Sequence, residues 1–544
     1  MANSSNEAGS GAGVFSRKAS GLLRVAGAWD TFIFNIGLVS VGIAIALNQY
    51  YGPSLYPGAA PWVSTIIAAI AMLFAAATFY LWSVTFPRSG GVYLSLSRGV
   101  SPGVAFVMTL IETIILMYYA ALAASLIVSV GLSSFLAAIG AVAGSEGMIA
   151  ASAAVVTPNG MFICGSVVLL LAGGLLASGT RNYFLVQRVM FVIAIVGTVV
   201  TIGVLLFGSQ ASFIANLERL TGLTPDKAIA VATENGWAAA DFDWGMTWAF
   251  LVWPLLPLLG AVQSVAIGGE IKRVDRSQLY GMFGAVIAAA ILIALIGLLS
   301  DRTFGYDLQA AMAYNSILGN LDGSIENAVG AAPWFTVLAG VLTDNVILTT
   351  IIMAAFVAWI WFWVPAEIAY TTRTMIAWSF DRLAPDALGK VSDRFHTPVI
   401  AIGLSTIISI VFMALIAYQN LALLTLIEVL LVIWGTSMLA AVFFPAVKPE
   451  LFKLSPASRV RLFGLPVMSI TGLITAAFFA MVIIMLWGDP NAAGPLISAD
   501  GATLEFWIIL ATIVVGIVWY FFVRSLRRRE GIDIEMAFRQ IPIE

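Results

Sequence analysis

Charge, cysteine and histidine are all scarce in this chain, and each scarcity removes a class of function. Asp, Glu, Lys and Arg make up 10% of the 544 residues, too few to coat a soluble protein of this size. The formal net charge of -3 offers nothing to a polyanion, so no nucleic acid is expected as a partner. The one cysteine, Cys164, rules out an intramolecular disulfide and leaves the redox compartment open. The one histidine, His396, lies in a loop without a cysteine or a second histidine near it, which argues against a metal site. It equally argues against the His–acid spacing of a membrane-face enzyme. Neither enzyme chemistry nor a cofactor is expected.

What the chain has in abundance is apolar length. It is 60% hydrophobic, with a mean hydropathy of +0.98, so lipid is the expected solvent for most of it. About twelve segments are long enough to cross a hydrocarbon core roughly 30 Å thick. They run over 29–50, 62–86, 103–131, 160–178, 184–208 and 246–268, then 280–300, 345–378, 397–417, 421–445, 465–487 and 504–525. The first, Trp29 to Tyr50, is too long for the apolar part of a cleavable signal and is expected to be retained. The Gly/Ser/Ala-rich stretch Ala2 to Gly13 lacks the apolar content to fold.

Basic residues collect on one side of this array. Arg17, Lys18 and Arg24 precede span 1, Arg88 and Arg98 join spans 2 and 3, Arg181 and Arg188 open span 5, and Lys272, Arg273 and Arg276 follow span 6. Arg373, Arg382, Lys390 and Arg394 follow span 8, and Lys448, Lys453, Arg459 and Arg461 precede span 11. Basic loops stay on the cytoplasmic side, so both termini are expected there, in a multi-pass protein of the cell membrane. The opposite loops are acidic, with Glu218, Asp226, Asp241, Asp243, Asp301, Asp307 and Glu326 among their residues. Within the loop over 301–334, the apolar period of Leu308 to Leu318 predicts short surface helices that could serve as a lid.

Two spans carry residues that interrupt helices. Span 1 has Gly37 and Gly42 with Asn35 and Ser40, and span 6 has Pro254, Pro257 and Gly260. Proline removes a backbone donor, and in lipid an unpaired backbone group is tolerated where it lines a cavity. Glycine and proline are common in membrane helices generally, so either span alone would carry little. Their matched positions carry more: spans 1 and 6 open successive groups of five and cross in opposite directions. That is the pattern of an inverted repeat, whose half-helix ends offer N–H groups to an anion and carbonyls to a cation. A zwitterion suits such a site.

Three stretches resemble the amino acid–polyamine–organocation permeases. They are FPRSGGVY from Phe86 to Tyr93 with Arg98 and Pro102-Gly103, Gly260 with Gly269-Glu270-Ile271-Lys272 and Arg276, and RTMIAWSFDRLAPDALGKVSDRFHTPVIAI from Arg373 to Ile402. The resemblance implies an all-α leucine-transporter-like fold of five plus five helices with two more after them. The division it implies is a tail over 1–25, a transport core over 26–447, two further spans with their preceding loop over 448–526, and a tail over 527–544.

The family's helix 1 break falls on Ser40, Val41 and Gly42, with serine where the family has its first glycine. Its helix 6 break falls on Leu256 to Gly260, with Trp253 and Gln263 nearest to the aromatic gate that leucines and Pro257 replace. With Gly37 from the interrupted pattern of span 1, the expected substrate site is Gly37, Ser40, Val41, Gly42, Trp253, Leu256, Leu259, Gly260 and Gln263. Leu256, Leu259 and Val262 would favour a neutral or hydrophobic substrate.

Glu112, Glu367 and Glu428 lie inside apolar runs without a basic partner in the spans. Such groups are expensive unless neutralised, so they are expected either to exchange a proton during transport or to brace two helices as neutral hydrogen-bonding groups. Glu112 and Glu367 are the ion-coupling candidates. Some proton-coupled relatives have a lysine at the place of Ala194, so a carboxylate route, or a sodium site between helices 1 and 8, is what remains. Arg88, Glu270, Arg373 and Asp381 are candidates for gating ion pairs. Trp359, Trp361 and Trp363 fall on nearly every face of span 8, so most are expected to pack or to meet lipid.

The expected function is secondary active transport of an amino acid coupled to H+ or Na+. Transport of polyamines or another small organic cation, and a non-transporting sensor of the same fold, are the alternatives. Substrate identity and oligomeric state are not readable from these residues.

Overall fold

The computed structural model describes residues 21–419, 426–489, 491, 497–498, 501–532 and 534–539. Arg17 and Lys18, most of the tail expected over 1–25, the opening of the tenth expected span and the last residues of the chain lie outside the described residues. Among the described residues, 12 helices are long and apolar enough to cross a membrane. Spans 1 to 6 are Ala28–Leu55, Pro61–Thr85, Pro102–Ala143, Pro158–Ala177, Thr180–Phe207 and Trp244–Ala266. Spans 7 to 12 are Val274–Ile317, Val346–Phe380, Val399–Gln419, Ile427–Val447, Val467–Gly488 and Leu504–Arg529.

Local chemistry starts these helices where they start. Pro61, Pro102 and Pro158 each stand in the first turn, where the missing N–H costs nothing. The side chains of Ser101, Thr157, Asn345 and Thr503 cap the amide groups that follow them. Span 3 runs on to Ala143 through a π-helical stretch at Ile127–Ser133. Span 7 passes through another at Asp301–Gly305 and continues as the helix Tyr306–Ile317.

That continuation corrects the expected surface helix. Leu308, Ala310, Ala311, Met312 and Ala313 are buried, and the helix packs on the second half of span 1. Leu308, Met312 and Ala313 join the main core there, while Ala310 and Ala311 pack on Ala232 and Trp237. Loop length alone could not indicate this, because the packing partner lies some 260 residues upstream in the chain.

Spans 1 and 6 form the core. Their most apolar windows are 94% and 89% buried, whereas no other span exceeds 61%. Span 1 packs on spans 6 and 7, span 2 on span 7, span 3 on span 8, and span 4 on span 9, while spans 10 and 11 pack on each other.

In span 1, Ala28–Val39 and Val41–Leu55 are separate helical segments joined at Ser40, which has left-handed backbone angles of φ 49° and ψ 64°. In span 6, Trp244–Ala249 gives way to turns at Phe250 and Leu251, then to Val252–Leu258 and a 3-10 stretch at Leu259–Ala266. Pro254 accounts for the first interruption, since it cannot donate to the Phe250 carbonyl a turn before it, whereas Pro257 stands inside Val252–Leu258.

Candidate functional site

Spans 1, 3, 6, 8 and 10 line a chamber, the last through Leu430. Leu256, Leu259, Gly260 and Gln263 of span 6 line it, as does Glu367 of span 8. Span 1 contributes Leu38, Val39, Ile43 and Leu47, of which the last two lie four apart on one face of Val41–Leu55. Tyr119 of span 3 and Trp363 of span 8 complete its polar wall. The space open to the centre of a water molecule is about 20 Å³, room for one or two waters. The chamber is therefore shut around less than a substrate.

The polar wall is sparsely paired. Glu367 Oε1 accepts from Trp363 Nε1 at 2.8 Å and from Gln263 Nε2 at 3.5 Å. Trp359 packs elsewhere, donating through Nε1 to Thr198 Oγ1 at 2.9 Å, so one of the three tryptophans of span 8 faces the chamber.

Gly37, Ser40, Val41, Gly42 and Trp253 do not line the chamber. A Cβ on Gly37 would lie 2.7 Å from the ring of Phe362, and one on Gly42 2.9 Å from Phe356. Both glycines thus admit the aromatic rings of span 8. Ser40 Oγ donates to the Trp359 carbonyl at 2.9 Å. Trp253 stacks on Tyr51, with centroids 4.2 Å apart, and donates to the Tyr56 hydroxyl at 3.2 Å.

Gly260 is where the two interrupted spans meet: a Cβ there would lie 2.5 Å from the Leu38 carbonyl carbon and 2.7 Å from the Val39 nitrogen. Nearby, Asn35 Nδ2 donates to Ser264 Oγ and Asn35 Oδ1 accepts from Ser264 N, both at 2.9 Å. These bonds tie the spans together without using the chamber.

The model of the family described as amino acid permease matches residues 27–523. The chain belongs to the amino acid permease family. No curated protein matches it. Together with the 12 apolar helices, the family makes the chain a multi-pass membrane transporter of a small-molecule substrate.

In this permease an ion pair and backbone pairing join span 8 and the segments before span 1 and after span 6. Arg373 Nε and Nη2 donate to Glu270 Oε1 and Oε2 at 2.7 and 3.1 Å, with both residues buried. The segment before span 1 pairs with the segment after span 6: Val25 N and Ala26 N donate to the Glu270 carbonyl at 3.0 Å, and Lys272 N donates to the Ala26 carbonyl at 2.8 Å. Ser89 bridges to Ile267, which brings the buried Arg88 backbone against Gly268.

The fourth gating candidate, Asp381, pairs with Arg98 and also accepts from the Tyr93 hydroxyl at 2.8 Å. In the sequence Arg98 was legible as a loop arginine within a motif, with nothing to reveal its partner.

Beyond Leu47 of span 1, aromatic rings pack on one another. Tyr50 lies against Trp334, with centroids 4.3 Å apart, Tyr51 against Trp253, and Tyr56 donates to Asp489 Oδ2 at 2.6 Å. Away from the chamber, Glu112 Oε1 accepts from Trp434 Nε1 at 2.7 Å and from the Tyr370 hydroxyl at 2.9 Å, linking spans 3, 8 and 10. Glu428 Oε2 accepts from Trp487 Nε1 at 3.2 Å and links spans 10 and 11.

Proposed function

We propose that the permease carries an amino acid with an apolar side chain by alternating access, coupled to protons. The observation that carries this reading is the small, mostly apolar chamber between spans 1, 3, 6, 8 and 10. A five-plus-five inverted repeat underlies it. Spans 1 and 6, 2 and 7, 3 and 8, and 4 and 9 pack on each other, as partners related by a two-fold axis in the membrane plane would.

The substrate carboxylate reaches the amide groups at the start of Val41–Leu55 when the chamber opens, since these groups do not line it while it is shut. That helix begins without a side-chain cap, so its first N–H groups are free of intrahelical acceptors and carry the positive end of the dipole. Ser40, Val41 and Gly42 act here through backbone. Leu256, Leu259 and Ile43 receive the side chain of the substrate.

The basic loops face the cytoplasm, together with both termini. Opening to the cytoplasm separates Arg373 from Glu270 and peels the Ala26 segment from Ile271, while Tyr50, Tyr51 and Trp253 stay closed. Opening to the outside reverses this. Proton coupling is favoured over sodium because Glu112 and Glu367 are buried without a basic partner among the chamber and hydrogen-bonding groups around them. The glycines of span 1 meet aromatic rings of span 8, where a sodium ion would need oxygen ligands.

An organic cation is the second reading, favoured by the carboxyl group of Glu367 in the chamber wall. A thermal-shift screen of the detergent-purified protein against amino acids, polyamines and nucleobases separates the two, since a ligand bound by the folded state alone raises the melting temperature. Stabilisation by apolar amino acids, followed by their counterflow in liposomes, is expected. Stabilisation by polyamines alone would replace the substrate, and binding without counterflow would make the protein a sensor.

A further inference from the structure

Glu367 Oε2, Gln263 Oε1 and the Tyr119 hydroxyl belong to side chains that line one chamber, are each less than a tenth exposed, and have no hydrogen-bond partner. Buried polar atoms are nearly always paired, so three orphans around one small space call for a common partner. Their chemistry is one-sided. A carboxylate oxygen and an amide carbonyl can only accept, and a tyrosine hydroxyl can accept as well as donate. Trp363 Nε1 and one N–H of Gln263 Nε2 both point to Glu367 Oε1, which leaves Glu367 Oε2 and Gln263 Oε1 without a donor from this wall. Among the described residues, no lysine, arginine or histidine lines the chamber.

The missing partner is therefore a compact group with several protons and a positive charge, which is an ammonium. The remaining walls, Leu38, Val39, Ile43, Leu256 and Leu259, suit an apolar body attached to it. Resting on the transport reading above, we infer that Glu367, Gln263 and Tyr119 form the ammonium subsite. When that subsite is empty, Glu367 carries a proton, and it gives the proton up when an amine-bearing solute enters.

The exchange follows from what surrounds Glu367. The titratable groups near it are Glu112 and Tyr119 of span 3 and Tyr370 of its own helix, and none supplies positive charge. A bare carboxylate in such a chamber is untenable, so the group holds either a proton or an ammonium. On binding, the proton passes from the Glu367 carboxyl to water on the side where the chamber is open, and the ammonium keeps its own protons. One carboxylate thus serves two cations in turn, and proton and amine are exchanged.

The test uses the full-length protein in detergent and three probes that share one apolar body: leucine, 3-methylbutylamine, which lacks the carboxylate, and 4-methylpentanoate, which lacks the amine. Binding is read by thermal shift, and proton release by a pH indicator in weakly buffered solution. Leucine and 3-methylbutylamine are expected to stabilise the wild type and to release a proton on binding, and 4-methylpentanoate to do neither. E367Q should weaken both amines at least about ten-fold and abolish proton release, and Y119F should weaken them about five-fold while keeping it. Should E367Q not fold, Y119F and Q263M carry the same comparison, each weakening the amines alone.

Wild-type leucine affinity in E367Q, equal binding of 4-methylpentanoate and leucine to the wild type, or no binding of either amine at millimolar concentration would each overturn the subsite. Leucine counterflow in liposomes that persists in E367Q would also overturn it, and would leave the amino acid reading standing. Glu367-dependent binding of 3-methylbutylamine without any binding of leucine would support the subsite and remove the amino acid reading.

Discussion

Arg98 and Asp381 meet as a bidentate pair, Nη1 to Oδ2 at 2.7 Å and Nη2 to Oδ1 at 3.1 Å, with side chains 1% and 3% exposed. The pair joins the short helix Val92–Gly99 to the end of span 8. Phe538, near the end of the chain, lies over the guanidinium with its ring centroid 5.0 Å away. Removing one partner strands a buried charge, which costs about 3–5 kcal/mol, whereas removing both costs much less. R98A or D381N should therefore lower the melting temperature sharply, and R98M/D381L should recover most of the loss. Equal melting of R98A and wild type would mean that water reaches the pair.

The Arg373–Glu270 pair, proposed above to part when the chamber opens to the cytoplasm, lends itself to a different measurement. With Cys164 replaced by alanine and Gln263 by cysteine, a thiol reagent reports on access to the chamber wall. Losing the pair in E270A/R373A should speed labelling about ten-fold or more, which corresponds to a shift of about 1.4 kcal/mol toward the open form. Unchanged labelling would make the pair a brace instead of a gate.

Much of this was legible in the chain. Span order followed from apolar length, and the residues of span 6 that line the chamber followed from Pro257, Gly260 and their neighbours, since proline marks its own break. Glu367 stood out because a carboxyl in an apolar run is costly. Tyr119 did not, because a tyrosine in such a run looks like any packed aromatic. The Asp381 partner and the Glu112–Trp434 contact were equally hidden: each joins residues 283 and 322 positions apart, and no local pattern encodes that distance. On span 1, glycines pointed to the chamber by resemblance, yet their side faces the rings of Phe356 and Phe362.

Ser40 offers a test of the interruption in span 1. A non-glycine residue at φ 49° pays about 1–2 kcal/mol for left-handed backbone, and the bond from Ser40 Oγ to the Trp359 carbonyl returns about 1 kcal/mol. S40G gives up both terms, so its melting temperature should stay close to that of the wild type. S40V loses the bond and adds a β-branched side chain in left-handed backbone, so it should be destabilised by about 2 kcal/mol or more. If S40V melted like wild type, a regular helix through residue 40 would be the better description.

Gly260→Ala should be the most damaging single methyl in the chamber. The added carbon would sit 2.5 Å from the Leu38 carbonyl carbon and 2.6 Å from its oxygen. Backbone atoms cannot rotate away as a side chain can, so spans 1 and 6 must separate. Overpacking of this kind costs about 1–3 kcal/mol, and here it also shifts Val39 and Leu38, which line the chamber. Stability and ligand-induced stabilisation should therefore fall together. Gly203, in span 5, is the control: nothing lies within 4 Å of its added carbon. G203A should be neutral or slightly stabilising, by up to about 1 kcal/mol, because alanine restricts the unfolded chain. If G260A bound ligand as tightly as G203A, the contact between the two interrupted spans would not shape the chamber.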